Sequence, residues 1–165
     1  MVSPSTLFAA LVGLSISGSA HAQAKGQAPP KAPGLTFLYS LICTLAPPIQ
    51  VGQGPHGTRV VIPITGGNFS GPRLSGKVLD LGADWGLVDR NGTFSADTRY
   101  QLQTDDGANI FIRTNGPTQA NGNLHLHLNF ETGSSKYYWL NDIVAVGVLK
   151  SAPGGVAIDA WQLTS

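Results

Sequence analysis

The sequence predicts an all-β protein of about nine or ten short antiparallel strands, either a closed barrel or a sandwich. Three observations carry this expectation. No segment sustains a 3.6-residue apolar period between helix caps. Short runs rich in β-branched and aromatic residues recur along the chain, separated by turn signals. Glycine (21) and proline (11) are abundant in 165 residues, as many tight turns require. That length suits one domain with one core, and closing a sheet into a barrel removes its exposed edges.

The elements follow in order. Residues 7–16, "LFAALVGLSI", form an apolar run too short to cross a bilayer. "AHA" at 20–22 supplies the small-x-small pattern read by signal peptidase. Residues 1–22 are therefore expected to be a signal peptide that sends the chain into the secretory pathway without a membrane span. Residues 23–34, "QAKGQAPPKAPG", read as a flexible Pro-rich leader. Residues 35–165 read as the barrel domain. Within it, "LTFLYSLICTL" (35–45) is the first strand, and "APPIQVGQGPHG" (46–57) reads as a loop. "TRVVIPITGG" (58–67) alternates, and Gly-Pro at 71–72 marks a bend before "KVLDL". "TFSADTRYQLQT" and "NIFIRTNG" are separated by the turn "DDGA". "NLHLHLNFETG" alternates strictly, and "IVAVGVLK" and "GVAIDAWQL" close the chain.

Composition excludes some functions. Ten Lys and Arg face nine Asp and Glu, for a net charge of +1, and the cations are scattered. Nucleic-acid binders instead carry a basic stripe or patch. A lone cysteine, Cys43, cannot form an intrachain disulfide and reads as a small buried apolar residue. Two sequons, "NFS" at Asn68 and "NGT" at Asn91, are glycosylation candidates, and Asn91 lies in an exposed hairpin turn.

Few motifs carry chemistry. His125 and His127 share one face of a strand and start a possible metal pair, but no further ligands accompany them, so that face is expected to meet solvent or a wet cavity. "TDDG" (104–107) pairs carboxylates, yet Asp-Asp-Gly between alternating segments is better read as a hairpin turn. No nucleophile elbow, phosphate loop or dinucleotide fingerprint is present. What remains is a set of isolated charges in strand-like context: Arg59, Arg73, Arg99, Arg113, Asp84 and the sole glutamate, Glu131. A charge inside a small barrel is costly unless paired, so Arg99 with Asp84 or Glu131 is a natural internal pair, and outward placement of these residues is the alternative.

Three blocks, "GGNFSGPRLSGKVLDLGADWGLV", "RYQLQTDDGANIFIR" and "FETGSSKYYWLNDIVAVG", occur in an order and spacing that resemble the bacterial and fungal DUF3237 family over about residues 37–162. The resemblance implies an antiparallel barrel with a ligand-sized interior and chemistry without an obligatory metal, nucleotide or other cofactor. Some fungal members direct ring closure in natural-product pathways, such as the intramolecular addition of a phenol to a prenyl-type alkene. Matched by motif, the catalytic candidates are Asp84 of "GADW", Arg99 of "RY", Glu131 of "FETG" and Tyr138 of "YYWLN". The substrate-binding candidates are Trp85 and Asn141 from the same motifs, with Arg59 and Phe111. A carboxylic acid in an apolar pocket has a raised pKa and can protonate an alkene carbon. Arg or Tyr can orient or stabilise the phenolic oxygen, and aromatic faces can stack on the substrate.

The expected function is thus a cofactor-independent cyclase acting on an aromatic, prenylated or polyketide-derived intermediate. Two rivals remain open: a barrel that carries a small hydrophobic molecule without catalysis, and a secreted structural protein with a filled interior. A homodimer through an apolar outer face is a further expectation.

Overall fold

In the computed structural model, residues 28–165 are described. The expected signal peptide and the first five residues of the leader lie outside them. Ten strands form one antiparallel sheet among the described residues. They are β1 (Gly34–Leu45), β2 (Ile49–Gly54), β3 (Gly57–Ser70), β4 (Ser75–Asp84), β5 (Leu87–Val88), β6 (Phe94–Thr104), β7 (Asn109–Pro117), β8 (Leu124–Glu131), β9 (Ala145–Ala152) and β10 (Gly155–Thr164). A short 3-10 helix, Tyr138–Asp142, joins β8 to β9.

The sheet closes on itself. It runs β1-β10-β9-β8-β7-β6-β4-β3, and β3 then pairs back onto β1 through Ile64–Ser70. Closure removes the free edges that an open sheet would expose. β2 and β5 lie off the ring against the first half of β3. The segment around β2, expected to be a loop, is therefore a hairpin with β3: Ile49 pairs with Val61 and Gln53 with Thr58. Its Pro and Gly density hides the strand, because Pro47 and Pro48 precede it and the turn Pro55-His56 follows it.

Alternation decides what faces inward. On β8, Leu124, Leu126, Leu128 and Phe130 are buried while His125, His127 and Asn129 are exposed. The two histidines thus face solvent. On β6, Ala96, Thr98, Tyr100, Leu102 and Thr104 are buried, and Asp97, Arg99 and Gln101 take the other face. One end of the barrel is packed solid: Leu38, Tyr39, Phe69, Leu102 and Ile110 fill it, and Leu140 of the 3-10 helix and Tyr137 belong to the same cluster. Burying each such aliphatic side chain contributes roughly 1.5–3 kcal/mol before entropy is subtracted.

The turns behave as their residues dictate. Asp89 accepts the backbone N–H groups of Asn91 (2.8 Å) and Thr93 (2.9 Å), holding the exposed Asn-Gly turn. In "TDDG" the Gly107 N–H donates to the Thr104 carbonyl at 2.8 Å, so this segment is a turn. Asp106 there accepts from the Thr104 hydroxyl (2.5 Å), the Lys136 ammonium (2.6 Å) and the Tyr137 hydroxyl (3.1 Å). The hydrogen bonds from Lys136 and Thr104 lead in pulling its pKa down to about 2. Because the folded-state value lies below the unfolded value of about 3.9, Asp106 stabilises the fold above pH ~4, and that support vanishes as pH falls towards 2. Asp106→Asn is therefore expected to lower the thermal midpoint at neutral pH and to match the wild type near pH 2, as scanning calorimetry across that range can check.

Candidate functional site

The packed end of the barrel gives way, towards the other end, to a cavity. Its walls include Ile62, Ile64, Phe94, Leu124, Leu149 and Ile158. Its free space is about 560 Å³ counting the open mouth, within the range of small-molecule pockets.

Polar groups enter this cavity from one set of neighbouring strands. Asp84 on β4 is paired with Thr98 on β6, and Thr98 with Thr114 on β7. Residues directly opposite on antiparallel strands share a face, so the three form an inward polar row. Tyr100 lies one step further in on the same face of β6, paired with Gly82. Gly82 is required there: its φ is +130°, and a Cβ would meet the Arg99 carbonyl and the Tyr100 Cβ. Gly82 thus lets the backbone of β6 approach β4 closely at Arg99 and Tyr100.

Among the described residues, Asp84 is the one charged side chain lining this cavity. Its Oδ1 accepts the Asp97 backbone N–H at 2.9 Å. Burial raises its pKa; the Asp97 N–H and the Thr98 hydroxyl oppose that rise, and the nearby Asp97 charge adds to it. The result is a half-buried carboxyl that holds a proton more readily than an ordinary aspartic acid.

The other sequence candidates do not join it. Arg99 points out of the barrel with 40% of its side chain exposed, and pairs with Asp97 at 3.4 Å rather than with Asp84 or Glu131. Arg113 reaches the same Asp97 at 3.2 Å. Such exposed pairs contribute little to stability. The expected internal Arg99–Asp84 pair is thereby corrected: odd-numbered residues of β6 face outward once Ala96 and Leu102 face in. Trp85 is also outside the cavity lining. Its carbonyl accepts from Arg59 Nη1 at 2.5 Å, and the Arg99 guanidinium lies 5.5 Å from its ring centroid. Arg59 therefore braces the chain just after Asp84 and does not touch the cavity.

Glu131, Phe111, Tyr138 and Asn141 form a separate, open surface groove. Glu131 is exposed and is paired with Phe111, whereas Thr114, at the Asp84 level, lies three residues along β7 and on its opposite face. A strand rises about 3.3 Å per residue, which puts roughly 10 Å and the barrel wall between the two groups. Tyr138 is 57% exposed. Asn141 is a brace: its Oδ1 accepts the Thr132 N–H (2.9 Å) and its Nδ2 donates to the Thr132 carbonyl (3.0 Å). Asn141→Ala leaves both backbone groups unpaired and is expected to destabilise by about 1–3 kcal/mol in urea titrations. Asn68, on β3, and Asn91 are both exposed.

A closed antiparallel barrel with, among the described residues, one carboxyl in an otherwise mostly apolar cavity defines a β-barrel with a ligand-sized interior. The chain belongs to the family described as "Protein of unknown function (DUF3237)", which it matches over residues 33–163. It is 31% identical over 134 residues to the hydroalkoxylation enzyme phnH of Penicillium herquei, across 81% of this chain and 86% of that one. A β-barrel-like protein from Acinetobacter baumannii shares the fold with a TM-score of 0.76 at 38% identity, across 84% of this chain and all (100%) of that one. An enzyme from Penicillium herquei follows at TM-score 0.72 and 30% identity, across 83% and 98%.

Proposed function

We propose that the protein is a cofactor-independent cyclase that closes an oxygen ring on an aromatic intermediate bearing an alkenyl arm, with Asp84 as the acid. One observation carries this reading: a carboxyl with a raised pKa lines an otherwise mostly apolar interior cavity of small-molecule size. The relationship to a hydroalkoxylation enzyme supports the reaction class.

The chemistry balances with one carboxyl. Asp84 Oδ1 is held by the Asp97 N–H, which leaves Oδ2 to carry the proton. That proton moves to one alkene carbon as the phenol oxygen bonds to the other. The phenolic proton then returns to the carboxylate, and the acid is regenerated. The net change is addition of O–H across C=C, with nothing lost and no oxidant or reductant consumed. Apolar walls favour the protonated form of Asp84 and hold the arm in one near-attack conformer, the source of stereocontrol. In this reading Arg99, Glu131 and Tyr138 have no part in proton transfer. The leader "LFAALVGLSI" with "AHA" supports a place in the secretory pathway.

The test is incubation of purified protein with ortho-alkenyl phenols whose cyclic ethers carry a new stereocentre. Product formed faster than in buffer, with one enantiomer in excess on chiral chromatography, supports the cyclase. Binding without rate enhancement replaces it with a carrier.

A further inference from the structure

Gly86, the second glycine of "GADWG", takes no part in the chemistry above, yet it is buried. Its φ lies outside the left-handed region, so conformation alone would allow a side chain there. What a Cβ would strike is the end of the Phe94 ring, at Cε2 and Cζ; the next atom, Val60 Cγ1, is 3.4 Å away. The Phe94 ring therefore fills the space that a side chain at position 86 would take.

Phe94 is half-buried and lines the cavity. It follows the inward row of β6, two residues before Ala96. On that row Thr98 is level with Asp84, and Leu102 belongs to the packed end. Phe94 lies four residues from Thr98 in the opposite direction, about 13 Å along a strand. Its backbone is fixed there: Thr118 donates its N–H (2.9 Å) and its hydroxyl (3.0 Å) to the Phe94 carbonyl.

We infer that Phe94 is a specificity-determining residue that limits the length of arm the cavity takes, and that Gly86 is the positioning residue that seats its ring. This rests on the proposal that the cavity is the substrate site. A ligand with its polar end at Asp84 runs its apolar arm away from the packed end. The arm passes Leu124 and Leu149, which pair across β8 and β9, and stops at the Phe94 ring. Each methylene buried on the way tightens binding about fourfold.

The probes are 2-ethylphenol, 2-butylphenol, 2-hexylphenol and 2-octylphenol. Their arms are saturated, so none can cyclise, and the result does not depend on turnover. Affinities are read by isothermal titration for wild type, Phe94→Ala, Phe94→Leu and Gly86→Ala. In the wild type, affinity is expected to climb along the series and level off where the arm meets the ring. Phe94→Ala should move that break to a longer arm, and the milder Phe94→Leu should move it the same way. Gly86→Ala pushes the ring into the cavity and should move the break to a shorter arm. The longest probe that fits the wild type should then bind at least about tenfold more weakly. Adding Phe94→Leu to Gly86→Ala should restore the thermal midpoint that the alanine costs, because the clash is with the end of the ring. The inference is overturned if the wild type binds no probe or shows no break. It is equally overturned if the Phe94 variants leave the break in place, if Gly86→Ala weakens all four probes alike, or if Phe94→Leu fails to rescue it. If the breaks move as stated while no ortho-alkenyl phenol is cyclised, Phe94 and Gly86 keep these roles and the cyclase reading falls.

Discussion

Asp84→Asn is expected to abolish ring closure, by about 10²–10⁴-fold in kcat, while the barrel stays folded. The amide keeps the shape and can still accept the Asp97 N–H, but it has no proton to give. The same change should stabilise the protein at neutral pH. In the wild type, burial raises the folded-state pKa of Asp84, so the folded chain holds this proton more tightly than the unfolded chain does. Its contribution is therefore most favourable below the unfolded value of about 3.9 and is lost as pH rises through the raised folded value. Above that raised value the ionised group sits in a partly apolar wall, and a neutral amide in its place relieves that cost. The gap between variant and wild type should close at acid pH. Activity should follow the same titration, with a flat acid limb and a fall above the raised pKa. An active Asp84→Asn, or one that unfolds at pH 7, would remove the acid role.

Gly67→Ala is expected to have the largest effect on stability. Gly67 stands where β3 meets two partners, paired with Cys43 of β1 and Val78 of β4, so it lies in the seam that closes the barrel. Its φ is +137°, and a Cβ there would strike the Ile42 carbonyl oxygen and approach the Cys43 Cα at 3.1 Å. Both obstacles are backbone and cannot swing aside. Backbone strain and seam opening together should cost more than about 3 kcal/mol, or roughly 10 °C in thermal midpoint. Gly92 supplies the comparison: its φ is +82° with nothing within 4 Å of a Cβ. Gly92→Ala should lose only about 1 kcal/mol for conformation. Equal losses in the two variants would show that the seam yields, and the closed ring would then matter less than the register implies.

Much of this was legible in the residues. Alternation in "LHLHLNF" and "SADTRYQLQT" marks strands and their two faces without further help. Read strictly, the second run also places Arg99 with Asp97 and Gln101, outside, and Tyr100 with Thr98 and Leu102, inside. The parity of Ala96 and Leu102 was thus the signal that could have found Thr98 and Tyr100 and set Arg99 aside. Family motifs drew attention to the charged residue of the "RY" pair, while the cavity uses its neighbour. The strand β2 was hidden by prolines that belong to its flanks.

Asp84 is different. Between Val78 and Gly82 the pairing of β4 with β6 shifts register: four steps along β4 are matched by two along β6, from Leu102 to Tyr100. A bulge of two extra residues keeps parity, so Asp84, six residues on from Val78, stays on its inward face; what the bulge changes is the partner, Thr98 where unbroken pairing would have given Ala96. The sequence by itself determined an all-β chain, its turns and the presence of a carboxyl between glycines. Tertiary structure alone decided that Asp84 stands opposite Thr98 and Thr114 in one row, and that Glu131 and Asn141 belong to another surface. The reason is physical: alternation is a local property of one strand, whereas a bulge and a closed ring are set by how neighbouring strands pair.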